Sequence, residues 1–247
     1  MSRRPGLSAA LTGLLAAALT SLAAPTATAA ATDPMFGAPV VGQCFDMDVT
    51  ELGEATYSEA AVDCSVEHTS EVVAVAQAPD GVAYESKAMG RFALETCFPA
   101  QRRAVGASRL GVRLTAYSLG YFAPTADQQA AGARWLRCDV VLVAGRTLAP
   151  LPHRLEVGKY PFSDTVSRCL AGRELAVTVC TEKHTFRATA ALRVDGRRFL
   201  GERAWKRLGE RRCRSAVHSS YFRFGWPSKA AWKAGDHALI CYTQTRT

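Results

Sequence analysis

The spacing of apolar positions divides the chain into short elements. VVGQCFDMD (40–48), AAVDC (60–64) and the Val-rich EVVAVAQ (71–77) each predict a strand. The period then lengthens. Over 84–98, Met89, Phe92, Ala93, Thr96 and Cys97 recur at three- and four-residue steps, which predicts a helix that Pro99 should stop. RLGVRLTAYSLGYF (109–122) reads as one long extended run. A helical turn follows Pro124, and WLRCDVVLVAG (135–145) predicts a closing strand. The same order then returns: SRCL (167–170), LAVTVC (175–180), FRATAALRV (186–194), a helix over about 202–218, YFRF (221–224), a turn after Pro227, and HALICYT (237–243). Each series predicts a small α+β unit, an antiparallel sheet carrying one main helix.

Cysteine spacing strengthens that repeat. Cys44, Cys64, Cys97 and Cys138 form one group, and Cys169, Cys180, Cys213 and Cys241 a second. Cys64 to Cys97 and Cys180 to Cys213 are both steps of 33 residues. Cys-x3-His recurs in CSVEH (64–68) and CTEKH (180–184), with Thr69 and Thr185 following. Pro124 to Cys138 and Pro227 to Cys241 are both steps of 14. The remaining spacings differ, 20 against 11 and 41 against 28. Constant spacing within elements and variable spacing between them predicts two tandem disulfide-stapled domains, 30–145 and 165–247. The stretch 146–164, with Pro150, Pro152 and Pro161, reads as a semi-rigid linker.

The first residues set the compartment. Arg3 and Arg4 precede an uncharged run from 7 to 24, and Ala27-Thr28-Ala29 fits a cleavage site, so 1–29 reads as a secretory signal peptide. An uncleaved anchor is the alternative, although the run is short for a bilayer. The expected location is secreted or associated with the cell envelope. An even number of cysteines in an exported chain predicts disulfides. Two independent groups leave three pairings each. Cys169 and Cys180 flank a hairpin-like pair of strands. Cys213 falls on the helix and Cys241 on the final strand. The expected bonds are Cys169–Cys180 and Cys213–Cys241, and by repeat Cys44–Cys64 and Cys97–Cys138.

That pairing removes most candidate chemistry. Structural zinc needs four ligands at recognisable spacing, and cysteine catalysis needs a free thiolate beside a base. No G-x-S-x-G occurs. Asp46/Asp48 and Glu67/Glu71 read as a solvated strand end and a turn. No catalytic residue, metal ligand or cofactor is expected. His68 and His184 read as structural, ordering the turn after a bridged cysteine, with Glu71 as the natural partner of His68 and Arg187 at the matching place in the second unit.

Charge adds the one functional signal. From residue 30 to 149 there are 9 Lys/Arg against 14 Asp/Glu, net −5; the remainder has 19 against 8, net +11. The excess concentrates in RVDGRRFLGERAWKRLGERRCRS (193–215). On a helix, Arg203, Arg207, Arg211 and Arg214 line one side, opposite Trp205, Leu208 and Ala216. Such a face attracts an anionic wall polymer, a membrane surface or an acidic protein partner; the acidic unit could also dock there. Nucleic acid is not expected for an exported chain, and the oligomeric state is open.

VGQCFDM, VDCSVEHTSEVVAV, a cysteine-bearing helix and the closing P-x7-G-x5-C together resemble the septum-formation domain of secreted and membrane-anchored actinobacterial proteins. The match is specific over 40–145. It is looser over 166–243, where Cys-x3-His and W-x-x-G-D (Trp232, Gly235, Asp236) remain. The resemblance implies a link to the envelope and cell division and no particular chemistry. The expected function is a non-enzymatic envelope interaction protein. A secreted hydrolase of wall material is the alternative, and a secreted ligand or metal carrier a third reading.

Overall fold

In the computed structural model, which describes residues 33–245, the chain is α+β with two antiparallel five-stranded sheets, few helices and four disulfides. The first sheet has the order β1 (Cys44–Phe45), β2 (Ser70–Gln77), β4 (Trp135–Ala144) and β3 (Tyr117–Phe122), with β5 (Thr147–Ala149) also pairing to β4. Helix α1 (Lys87–Ala104) connects β2 to β3, and the short α2 (Ala126–Ala130) connects β3 to β4. The second sheet runs β7 (Ala176–Val179), β6 (Arg168–Ala171), β8 (Phe186–Arg193), β10 (Ala238–Gln244) and β9 (Phe222–Gly225). There α3 (Glu202–Arg214) follows β8, and α4 (Lys229–Lys233) precedes β10.

The correspondence of the two sheets reaches the register. β2 pairs with β4 through Val72↔Asp139, skips Val73, and resumes at Ala74↔Cys138. β8 pairs with β10 through Ala188↔Tyr242, skips Thr189, and resumes at Ala190↔Cys241. Each half therefore bulges the same strand one residue before the partner of its last cysteine. The third strand adds Tyr121↔Cys138 in one half and Phe224↔Cys241 in the other. Thr125 and Ser228 cap α2 and α4, each accepting a bond from the backbone N–H three residues on.

Sulfur bonds join Cys44–Cys64, Cys97–Cys138, Cys169–Cys180 and Cys213–Cys241. In both halves one bond pins the main helix to the central strand. Beneath α1 lie Ala78, Met89, Ala93, Cys97, Leu136 and Cys138. Beneath α3 lie Val194, Trp205, Cys213, Leu239 and Cys241, with Trp232 and Phe222.

Several elements differ from the pattern-based expectation. α1 runs on through Pro99 to Ala104. The proline removes one backbone bond and costs about 3 kcal/mol. Beyond it, Ala100 and Val105 are buried, and burying a valine alone returns about 1.5–3 kcal/mol. The run 109–122 is not one strand: a 3-10 turn at Gly111–Leu114 precedes β3. α3 ends at Arg214, and the 40–48 strand shrinks to Cys44–Phe45. Residues 60–64 contribute one bridge, Cys44↔Val62. The proline-bearing stretch 146–164 contains β5 and buries Leu151, Leu155 and Phe162. They share a core with Val105, Tyr117 and Val140 of the first half and Val166 and Val179 of the second. Residues 33–245 lie within one compact unit. The signal peptide expected at 1–29 lies outside the described residues. Among those residues no helix is long and apolar enough to cross a membrane.

Candidate anion-binding surface

Helix α3 is held against its sheet by one stripe. Trp205, Gly209 and Cys213 recur every four residues, and all three are buried. Trp205 stacks on Trp226 (centroids 6.0 Å, planes 2° apart) and meets Trp232 edge-on at 5.5 Å. A Cβ on residue 209 would lie 2.2 Å from Phe224 Cδ2, so only glycine permits this approach. The Cys213–Cys241 bond closes the stripe. Three anchors fix the rotation of the helix, and the opposite face must meet solvent.

Arg203, Arg207, Arg211 and Arg214 occupy that face, all exposed. Arg214 reaches Glu210 at 3.5 Å and lies 5.6 Å from the Phe222 ring centre. Arg203, Arg207 and Arg211 enter no ion pair among the described residues. Arg211 and Arg214 sit favourably against the C-terminal end of the helix dipole. Arg203, in the first turn, is opposed by it. On the flanks, Lys206 pairs with Glu202 at 2.7 Å, and Arg212 donates to the Arg193 carbonyl.

The acidic excess of the first half does not neutralise this face. Ion pairs between the halves run the other way. Arg113 meets Asp236 at 3.1 Å and Arg146 meets Glu174 at 3.7 Å, a first-half arginine on a second-half acid each time. The inner pair is a latch. Arg113 lies 4.9 Å from the Phe98 ring centre, and Arg109 donates to the Gly235 carbonyl at 3.1 Å. Burial holds the Arg113 guanidinium below its usual range, and the Asp236 charge counters this.

The histidine turns match. His68 Nδ1 donates to Val66 O (2.8 Å) and His184 Nδ1 to Glu182 O (2.7 Å); a carbonyl only accepts, so the proton sits on Nδ1 in both. Glu71 is half-buried, and burial raises its pKa, with His68 opposing and Glu156 adding to the shift. Arg187, at the matching position, pairs with Asp164 and donates to Ser167 Oγ at 2.9 Å. Donor atoms of Cys44, His68 and Glu71, and those of Cys169, Cys180 and His184, come within 4.8 Å of one another. Their sulfurs are disulfide-bonded and supply no thiolate for a metal.

Two features escape sequence reasoning. The first is a buried ion pair. Arg137 and Asp139 are 3% and 0% exposed, joined by two hydrogen bonds, and Ser70 Oγ donates to Asp139 at 2.7 Å. Phe45, Phe122 and Tyr57 surround the guanidinium, with ring centres at 3.9, 5.1 and 5.2 Å. The same enclosure pushes the Tyr57 hydroxyl up to about 12, burial first, then the Glu51 and Glu59 charges. Two opposite charges alternating inside WLRCDVVLVA were the available signal. The second is a cleft of about 380 Å³ bordered by Glu54, Glu85, Ser86, Tyr84 and Tyr121.

The septum-formation family model matches residues 41–223, from before β1 into β9 and so across both sheets. The chain belongs to the septum-formation family. No curated protein and no solved structure matches it. Membership of the septum-formation family points to a role in cell division or the envelope. Together with four disulfides, it points to a protein of the cell exterior or envelope.

Proposed function

We propose that this septum-formation protein is a non-enzymatic interaction protein of the cell envelope, in which the basic second half binds an anionic wall polymer, membrane surface or acidic protein. One observation carries the reading: Arg203, Arg207, Arg211 and Arg214 form an exposed stripe that the acidic first half leaves unneutralised. Reversing all four to glutamate, with the fold checked by circular dichroism, should release the protein from isolated envelopes and abolish the salt dependence of its retention. Unchanged retention rejects this surface. We read the two halves as tandem copies, the second divergent, because the bulged register and the helix-to-strand disulfide recur at matching positions. A wall hydrolase is the second reading, supported by the two carboxylates bordering one cleft. It requires turnover of purified wall that Glu54→Gln or Glu85→Gln removes.

A further inference from the structure

A second cationic site lies between α1 and α4. Lys87 and Arg91 on α1 and Lys229 and Lys233 on α4 border a cleft of about 450 Å³ floored by Leu94 and Tyr121. On each helix the two cations are four residues apart and so share a face. Like charges at that spacing weaken a helix, and here two such pairs border the same cleft. All four side chains are exposed, and none enters an ion pair or side-chain hydrogen bond among the described residues. Helix stability does not account for them.

The floor is shaped as well as charged. Gly90 lies inside α1 and borders the cleft. A Cβ there would meet nothing within 4 Å, so packing does not demand the glycine, although glycine weakens a helix relative to alanine. Gly90 also borders the cleft beside Glu54 and Glu85, so its missing side chain leaves room in both spaces. Tyr121 is 44% exposed and lines this space as well as the cleft beside Glu54 and Glu85. A cleft of this volume falls within the range of small-ligand sites.

We propose that this cleft binds a diphosphate carrying an apolar chain, such as a prenyl diphosphate. A phosphate monoester, with at most two negative charges, would leave two of the four cations unmatched; a diphosphate monoester, with three ionisable hydroxyls, leaves one. The first carbons of the chain lie on Tyr121 and Leu94. The site is separate from the arginine face of α3 and does not depend on it.

The test is calorimetric titration of the oxidised full chain with farnesyl diphosphate, inorganic pyrophosphate and farnesol. Saturable binding of farnesyl diphosphate is expected, with inorganic pyrophosphate and farnesol each weaker by at least about tenfold. K229E/K233E and G90L should each weaken binding by at least about tenfold. K229Q/K233Q supplies the same test should the reversed charges disturb α4. Reversal of Arg203, Arg207 and Arg211 should leave this binding unchanged, which separates it from envelope retention. The proposal is overturned by any of three results: no saturable binding, equal affinity for inorganic pyrophosphate, or unaltered binding in the α4 variants with native circular dichroism.

Discussion

The two sheets share one register and bury different chemistry at one spot. In the first, Ser70, Arg137 and Asp139 form a polar knot under Phe45. Matching positions in the second hold Phe186, Ile240 and Tyr242, which cluster with Leu170 and Ala188. The same backbone thus accepts either a partnered, buried ion pair or a largely apolar cluster, over which Arg223 lies 5.0 Å from the Phe186 ring centre. A buried pair seldom gains stability over well-packed hydrocarbon, but breaking one is expensive. The core under the helix shows a second exchange. The first half uses Met89 with Ala93, the second Trp205 with Gly209. A larger ring in one turn goes with a missing methyl in the next, and the helix-to-strand disulfide is retained.

The polar knot offers the strongest test of that comparison. Arg137→Met leaves the Asp139 carboxyl buried without its partner, and should cost about 3–5 kcal/mol in denaturant unfolding. Arg137→Met with Asp139→Leu should recover most of that loss, as the apolar second half implies. A double variant as unstable as the single would mean that the rings of Phe45, Tyr57 and Phe122 require the guanidinium, and that the halves are not interchangeable there.

The helix positions sharpen the contrast at smaller scale. Gly209→Ala drives a methyl into Phe224 and should cost about 1–3 kcal/mol. Ala93→Gly, at the matching place, loses only helix propensity and a buried methyl, about 1–2 kcal/mol. Thermal melts of the two variants rank them; a tolerated Gly209→Ala would show that α3 can lift off its sheet.

The smallest effect concerns Glu71 and its counterpart Arg187. Burial raises the folded-state pKa of Glu71 above its ordinary 4.5, with Glu156 adding to the shift and His68 opposing it. Tyr117 is influenced by both carboxylates, after burial, which pushes its hydroxyl up. A carboxyl raised in the folded state favours folding below its unfolded pKa, and that contribution is lost as pH rises through the folded one. Glu71→Gln should therefore match the parent protein in acid and melt slightly higher at neutral pH. Equal melting temperatures at pH 7 would remove burial as the cause. Arg187 is already paired with Asp164, so Arg187→Gln should lower the neutral melting temperature instead.

Local order was legible in the chain because it depends on residues near in sequence. The periodicity around Met89, Ala93 and Cys97 places a helix face, and the Val-rich run after His68 places a strand; both lie there. Repeated spacings put Cys97 and Cys213 on helices and Cys138 and Cys241 on closing strands, where they are found. The α+β class with two antiparallel sheets follows from those elements. What burial decides was not legible. Pro99 sits inside α1 because the turn beyond it packs into a core that no local rule reveals. The prolines of 146–164 signal a spacer, yet its Leu151, Leu155 and Phe162 fill the space between the halves. Arg113 finds Asp236 across 123 residues of chain, and Lys87 and Arg91 come to border one cleft with Lys229 and Lys233. Periodicity determines which face of an element is apolar; only the packed chain decides which other element that face, or the charged one opposite, will meet.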